Sequence, residues 1–168
     1  MNTDQILENA AVSYRMVAIE IQSQGFGLDS HSLLLVASVN AGLSLEFYAK
    51  CLCYLYTGSY PKTHVLSSIL ASLPPQVQEK LRADFEHGVT DEERVQVQTV
   101  QAQSGAEIHI DYDSVVANWS RVFVDGRYWF EHSDTSRTPL HWFFFELLVR
   151  VMSDAIAIKR SHATQTTM

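Results

Sequence analysis

The chain has little cysteine, proline and glycine for its 168 residues, and each shortage excludes a class of protein. Two cysteines, Cys51 and Cys53, are too few for a disulfide scaffold, which favours a reducing compartment. Four prolines and seven glycines beside 46% hydrophobic residues exclude a disordered or collagen-like chain. The polar N-terminus has no basic lead-in to an apolar run, so no secretory signal is expected. We therefore expect a soluble, cytoplasmic globular protein.

Positive charge is also scarce, with 12 Lys and Arg against 19 Asp and Glu and a net charge of −7. This balance excludes a broad, charge-driven binder of nucleic acid, because phosphate binding draws on clustered positive charge. The acidity is uneven. Residues 1–110 carry 12 acidic and 6 basic groups, a net of −6, whereas residues 111–168 carry 7 and 6, a net of −1. A local pocket that binds a short RNA segment is compatible with the nearly neutral charge of residues 111–168.

Apolar residues recur every three or four positions through most of the chain, which predicts an all-α fold. We expect one domain over residues 1–160, a bundle of four long and two short helices, followed by a frayed tail over 161–168. The spacing and the breaks at glycine and proline place the helices at 4–24, from Asp29 or Ser30 to about 56, 64–73, 76–87, from Asp111 or Asp113 to about 132, and 138–159 with Pro139 at its start.

The stretch 33–56 is apolar almost all round, with Glu46 and Lys50 as its only charges. Its length also fits a transmembrane span. Two charges near the middle cost about 2.5–3.5 kcal/mol each in lipid, so we favour a central core helix and no membrane contact.

Residues 88–110 allow two readings. Thr90 with Glu93 is typical of a capping box that opens a helix. The alternation in 94–98 and 107–110, with Ser104-Gly105 between, is instead typical of a hairpin. We favour a helix over 91–102 and a loop or short strand over 104–111, in either case a polar insertion on the surface.

Two neighbouring motifs stand out once the helices are placed. Leu45-Glu46-Phe47-Tyr48-Ala49-Lys50 lies in the apolar helix, and Lys62-Thr63-His64-Val65-Leu66-Ser67-Ser68-Ile69-Leu70 follows it. The pair resembles HEPN domains, whose second helix often carries Glu-xxx-Lys and whose next helix opens with His-x-Leu-xx-Leu. The resemblance covers 5–75 by motif and 111–158 by layout. It implies a small, usually dimeric, all-α domain. Many members are metal-independent ribonucleases, often toxins or antiphage effectors paired with nucleotidyltransferase-like partners, and others are inert.

Active members of that family carry an arginine, four to six residues and then a histidine. Two pairs in this sequence match, Arg127/His132 and Arg82/His87. Acidic residues surround the second pair and would repel a phosphate. We favour Arg127/His132, which lies in the C-terminal half, where the family's motif resides.

The predicted catalytic residues are Arg127, His132 and Glu46, with no metal and no cofactor. The histidine would accept a proton from a ribose 2′-hydroxyl, since the ordinary histidine pKa lies near working pH. Arg127 would hold the phosphate, and Glu46 would orient Arg127. A purely structural reading stays open, in which Arg127 pairs with Glu131, Glu46 pairs with Lys50, and the dipole of a helix C-terminus favours a charged His132. In that reading His64 caps or packs a helix.

Nine of the 18 aromatic residues fall within residues 119–145. Aromatic rings beside an arginine stack on RNA bases, but at helical spacing they are typical of a core or a dimer seam. Trp129 and the run Phe143-Phe144-Phe145 cannot all face inward on single helices, so we predict a homodimer through the aromatic-rich C-terminal helices.

Two functional hypotheses follow from the sequence. The first is a HEPN-type endoribonuclease or RNA-binding effector, of the toxin–antitoxin or antiphage kind, with a nucleotidyltransferase-like antitoxin as partner. The second is a non-catalytic helical module that dimerises or binds a protein partner or a nucleotide.

Overall fold

The structure is a computed structural model that describes residues 2–24, 30–105, 107–127 and 143–165. Every regular element in these residues is an α-helix, which confirms the predicted all-α class. The helices are α1 (Thr3–Gln24), α2 (Ser30–Thr57), α3 (Leu66–Leu70), α4 (Pro75–Gly88), α5 (Asp91–Ser104), α6 (Tyr112–Arg127) and α7 (Phe145–Gln165).

Helix α2 is the centre of the bundle and packs against α1, α3, α6 and α7. A helix that is contacted from several sides must be apolar almost all round, which explains its sequence. None of the described helices is long and apolar enough to cross a membrane. The core-helix interpretation of 33–56 is therefore confirmed.

Small residues let α1 and α2 approach closely. Ala11, Ala18, Ala37 and Ala41 are completely buried, and the Ser44 hydroxyl donates a hydrogen bond of 2.8 Å to the Ala11 carbonyl. Because a buried alanine side chain brings no rotamer entropy cost, this close packing orders two long helices at little loss of side-chain freedom. This contact between α1 and α2 fixes the position of α2, and with it the positions of the residues on the other faces of α2.

Residues 90–105 form a capped helix and not a hairpin. The Thr90 hydroxyl accepts the Glu93 amide, the Glu93 carboxylate accepts the Thr90 amide at 2.8 Å, and Gly105 ends α5 with φ +69°. The expectation of a polar surface insertion is wrong in part. Val97 is buried in the core while Val95 is exposed, because residues two apart on a helix point about 160° apart.

The aromatic run before α7 differs from the prediction. The predicted helix from Pro139 would include Phe143 and Phe144, but these residues form a turn and α7 begins at Phe145. Phe144 has φ +65°, a left-handed conformation that is costly for a residue with a side chain. Burial offsets this cost, since Phe144 and Phe145 are both in the core and Phe143 packs partly against it.

That turn removes one argument for a homodimer. The left-handed conformation of Phe144 turns the backbone between Phe143 and Phe145. All three phenylalanine side chains therefore pack within one protomer. The ring of Phe144 contacts that of Phe85 edge-on, with the ring centroids 5.7 Å apart. The ring centroids of Phe145 and Trp119 are 5.5 Å apart. Trp129, the other residue on which the dimer prediction depended, lies outside the described residues.

Helix α7 continues to Gln165, beyond the boundary at 160 that separated the predicted domain from a frayed tail. Arg160, the last residue of the predicted domain, binds α1. Its guanidinium donates to the carboxylates of Asp4, at 2.7 Å, and Glu8. These two ion pairs fasten the last helix to the first.

Candidate functional site

Glu46 and Lys50 form a buried ion pair in the middle of α2. They are one helical turn apart, and the Lys50 Nζ donates to Glu46 Oε1 at 2.6 Å. Their side chains are only 3% and 10% exposed. Taking two charges out of water is costly, so the pair persists only because each charge compensates the other.

His64 joins this pair from the loop between α2 and α3. Gly58, with φ +75°, ends α2, and the following residues run back along it until the His64 Nδ1 lies 3.1 and 3.0 Å from Glu46 Oε1 and Oε2. The imidazole itself is 59% exposed. It therefore links a buried carboxylate to the protein surface.

The loop also brings an aromatic ring to the lysine. Lys50 Nζ lies 5.8 Å from the centroid of the Tyr60 ring, within the range of a cation–π contact. We name Glu46, Lys50, Tyr60 and His64 the Glu46 cluster. Helix α3 begins at Leu66 and not at His64 as predicted, which is why the histidine lies in the loop and reaches α2.

The geometry selects the tautomer of His64. An ionised carboxylate only accepts hydrogen bonds, and the short contact with Lys50 is typical of a charge-assisted bond to an ionised group. Nδ1 must then carry a proton, so the Nε2 of a neutral His64 has the lone pair. An imidazole held in this way by a carboxylate is the arrangement that enzymes use for proton transfer.

The charge around the Glu46 cluster contrasts with the acidity of the whole chain. No acidic residue occurs between Glu46 and Glu79, whereas this stretch contains Lys50, Lys62 and His64. Lys62 is exposed, two residues before His64. With Glu46 buried and paired, the stretch from 46 to 78 presents no acidic side chain of its own to solvent.

Helix α6 is joined to α3 close to this cluster. The Ser67 amide donates to the Ser120 Oγ at 2.8 Å, and Ser67 comes three residues after His64. Arg127 is the last residue of α6, seven residues beyond Ser120 and hence about 10 Å further along the helix axis. The side chain of Arg127 and all of His132 lie outside the described residues.

Of the predicted site residues, the structure thus describes the surroundings of Glu46, whose described partners are Lys50 and His64. The expectation that Glu46 orients Arg127 stays a prediction. The structural alternative for Glu46 and Lys50, an ion pair within the bundle, is present in the structure. His64 neither caps a described helix nor packs in the core.

The second Arg-x4-His match has a structural role. Arg82 on α4 donates to both carboxylate oxygens of Asp113 on α6, at 2.9 and 3.2 Å, and its guanidinium lies 5.6 Å from the Tyr112 ring centroid. The hydrogen bonds that Arg82 donates to Asp113 raise the pKa of Arg82. Residues five apart on a helix point about 140° apart, so His87 and Arg82 diverge on α4.

The two cysteines are buried against different helices, as their spacing predicts. Cys51 Sγ lies 3.3 Å from the Asp4 carbonyl on α1, and Cys53 Sγ lies 3.3 Å from the Ile69 carbonyl on α3. Burial raises the pKa of Cys51 to about 12, which keeps its thiol protonated and unreactive near neutral pH. Across the described parts of the chain, no group of three or more His, Cys, Asp or Glu side chains is placed to hold a metal ion.

The fold and site together define an all-helical protein with a buried carboxylate that binds a lysine and a surface histidine. In comparisons with known proteins, no family model matches the chain, and neither does any curated protein or solved structure.

Glu46, Lys50 and His64 all belong to the two sequence motifs, but only Glu46 is among the predicted catalytic residues. Two signals in the sequence point to the cluster. One is an opposite-charge pair four residues apart in a helix that otherwise has no charge, and the other is the acid-free stretch that follows. Neither signal indicates that His64 reaches Glu46, because that contact depends on how the loop folds back.

Proposed function

We propose that this protein is a HEPN-like, metal-independent endoribonuclease with Arg127, His132 and Glu46 in its catalytic site. The observation that carries the proposal is the convergence of Glu46, Lys50 and His64. These are the residues on which the resemblance rests, and they come from two separate motifs to one polar cluster. A convergence of motif residues is expected of a site and is not required for helix packing.

In this proposal His132 accepts the proton of a ribose 2′-hydroxyl, and the 2′-oxygen attacks the adjacent phosphorus. Arg127 holds the phosphate and stabilises the additional negative charge of the transition state. The bond from phosphorus to the 5′-oxygen breaks, this oxygen takes up a proton from water, and the products are a 2′,3′-cyclic phosphate and a 5′-hydroxyl. The absence of acidic residues between Glu46 and Glu79 supports the approach of the RNA backbone in a chain that is acidic elsewhere.

The wider biological setting follows from the same resemblance. A ribonuclease of this kind acts as a toxin or antiphage effector, with a nucleotidyltransferase-like protein as its antitoxin. The proposed homodimer rests on Trp129 and the neighbouring aromatic residues, without Phe143, Phe144 and Phe145.

The test is cleavage of single-stranded RNA by the purified protein in the presence of a metal chelator. We expect the wild type to produce 2′,3′-cyclic phosphate ends, and His132→Ala or Arg127→Ala to lower the rate by 10²-fold or more, as is typical for loss of an acid–base or charge-stabilising group. Arg82→Ala and His87→Ala are matched controls, because they alter the second Arg-x4-His pair, and they should retain activity.

Two results would contradict the proposal. One is that the wild type cleaves no RNA and its expression leaves cellular RNA intact, which would favour the non-catalytic module. The other is that Arg82→Ala and His87→Ala lower the cleavage rate as much as Arg127→Ala and His132→Ala do. Thermal unfolding of each variant shows whether a loss of activity reflects a loss of fold.

A further inference from the structure

A second polar region lies where α1, α7 and the junction of α4 with α5 meet. It is a cleft of about 410 Å³, a volume within the range of small-molecule sites in proteins. Its charged lining residues are Arg15 of α1, Glu93 of α5, and Glu146 and Arg150 of α7. The cleft shares no residue with the Glu46 cluster, and its lining residues all belong to the described part of the chain.

Helical spacing forms the α7 wall of this cleft. Glu146, Arg150 and Ser153 are four and then three residues apart, so their side chains share one face of the helix. Leu147 and Val149 also line the cleft and are buried, which fixes α7 against the core. The polar side chains of this wall therefore project from a firmly packed helix.

Two of the four charged groups in the cleft neutralise each other. The Arg15 Nε donates to both carboxylate oxygens of Glu146, at 3.3 and 3.1 Å. This ion pair joins α1 to α7, and hydrogen bonding to Glu146 raises the pKa of Arg15. Arg15 and Glu146 together add no net charge to the cleft.

Arg150 is a cation without a carboxylate partner among the described residues. Its one hydrogen bond to these residues is a long one, 3.4 Å from Nη2 to the Gly88 carbonyl at the end of α4. A Cβ on Gly88 would lie 3.0 Å from the same nitrogen, so the glycine allows the guanidinium to lie against the backbone. Since a guanidinium has five N–H donors, most of those of Arg150 remain for a ligand or for water.

Glu93 is an anion that no lysine or arginine neutralises in the described part of the chain. Its Oε2 accepts the Thr90 amide at 2.8 Å and the Thr90 hydroxyl at 2.9 Å. These two bonds of the capping box fix the carboxylate and leave its Oε1 as an acceptor. Arg150 and Glu93 thus line one cleft as a fixed carboxylate and an unpaired guanidinium.

We propose that this cleft binds a small zwitterion of the α-amino-acid class, with its carboxylate on Arg150 and its ammonium group on Glu93. A guanidinium suits a planar carboxylate because it donates two parallel hydrogen bonds to it. The four charged residues of the cleft sum to zero, which matches a ligand with one positive and one negative group. Asp91 and Glu92 in the first turn of α5 disfavour a phosphate, because its larger negative charge would be repelled.

The experiment is calorimetric titration of the purified protein with each proteinogenic amino acid, up to about 10 mM. We expect at least one of them to bind with a Kd of about 1 mM or lower. Its N-acetyl derivative lacks the ammonium group, and its amide derivative lacks the carboxylate. Each derivative should bind at least about 10-fold more weakly, because each loses a hydrogen bond to a charged group. In NMR spectra, the backbone amides of Gly88, Thr90 and Arg150 should shift during the titration.

Two variants each remove one of the proposed binding charges. Arg150→Gln removes the cation, and Glu93→Gln removes the anion but keeps the acceptor that the capping box requires. Each should raise the Kd by about 10-fold or more. Arg94→Gln and Glu92→Gln are the matched controls, since they make the same charge changes at exposed positions of α5 outside the cleft. Both controls should bind like the wild type.

The outcomes are distinct from those of the ribonuclease test, because the two sites share no residue. Absence of binding by every amino acid overturns the proposal, and so does binding that shifts only amides remote from the cleft. An N-acetyl derivative that binds as well as its parent overturns the role of Glu93. Equal losses in the variants and in their matched controls would show an effect of net charge and overturn the site. Thermal unfolding without ligand shows that each variant is folded, and weaker binding confined to folded Arg150→Gln and Glu93→Gln supports the proposal.

Discussion

His64 and His109 are equally exposed to solvent, but their carboxylate partners lie in opposite surroundings. Glu46 is 3% exposed and lies 3.0 Å from the His64 ring nitrogen, whereas Glu107 is 80% exposed and lies 3.6 Å from the His109 nitrogen. The second distance is too long for a hydrogen bond. Exposure of the imidazole alone therefore does not distinguish a candidate catalytic histidine from a surface one.

The difference lies in what fixes the carboxylate. Glu46 projects from a central helix and is bound to Lys50, so its two oxygens have one orientation. Glu107 belongs to a segment without regular structure, and no buried partner fixes the position of its side chain beside His109. A carboxylate with a fixed position holds its histidine partner in one orientation. A solvated carboxylate replaces its contact with the histidine by contacts with water.

The largest effect is expected from breaking the buried pair. Glu46→Ala leaves the ammonium of Lys50 buried and without its carboxylate, which should lower the free energy of unfolding by about 3–5 kcal/mol. Urea denaturation followed by circular dichroism measures this change. The double variant Glu46→Met/Lys50→Met removes both charges and should recover most of the loss. A cost below about 1 kcal/mol for Glu46→Ala would show that the cluster is not electrostatically coupled.

Asp111 is an intermediate case, exposed like Glu107 but held by a backbone amide. Its Oδ1 accepts the Ser114 N–H at 2.9 Å at the start of α6, and this hydrogen bond lowers the pKa of Asp111. Asp111→Ala should cost about 1 kcal/mol at pH 7, as is usual for a lost N-cap.

The pH dependence of Asp111 has a defined sign. Because its pKa is lowered in the folded protein, its contribution to stability is present above the ordinary aspartate range and is lost as pH falls through the folded pKa. Asp111→Asn keeps the cap but does not titrate. Urea denaturation between pH 7 and pH 2 should show the wild type losing stability relative to this variant only in acid. A constant difference across the range would refute this account.

The smallest effect is expected at the exposed pair. Glu107→Ala and His109→Ala should each change the free energy of unfolding by less than about 0.5 kcal/mol, because water replaces the lost contact. A double-mutant cycle for Glu107 and His109 should give a coupling near zero at low and at high salt. The same cycle for Glu46 and His64 should give a measurable coupling that salt screens only weakly. Equal couplings would remove the contrast between the two histidines.

Local sequence patterns predicted most of the helices because the interactions that form them are local. Thr90 and Glu93 lie three residues apart and satisfy each other's backbone amides, so this box marks the start of α5 without reference to the rest of the chain. The same holds for Gly58 at the end of α2. The alternation in 94–98 was misleading, because it is typical of a strand and this stretch is part of helix α5. It also did not indicate which valine would meet the core.

The features that local patterns did not predict depend on distant contacts. Phe144 adopts a left-handed conformation in which its ring is buried against Phe85, 59 residues earlier in the chain. No propensity of phenylalanine favours that conformation. The helix predicted over 138–159 differs from the structure at Phe143 and Phe144 for the same reason. These two residues form a turn that depends on their packing against residues distant in the chain.

By itself, the sequence determined that this protein is all-helical, that an apolar helix with a single ion pair forms its centre, and that its acidity spares the stretch from Glu46 to Glu79. Tertiary structure alone decided that His64 meets Glu46. The two residues are 18 positions apart, and only a loop folded back along α2 brings the imidazole to the buried carboxylate. Helical periodicity specifies which residues share a face, but a contact between a loop and a helix is set by the packing of the whole chain.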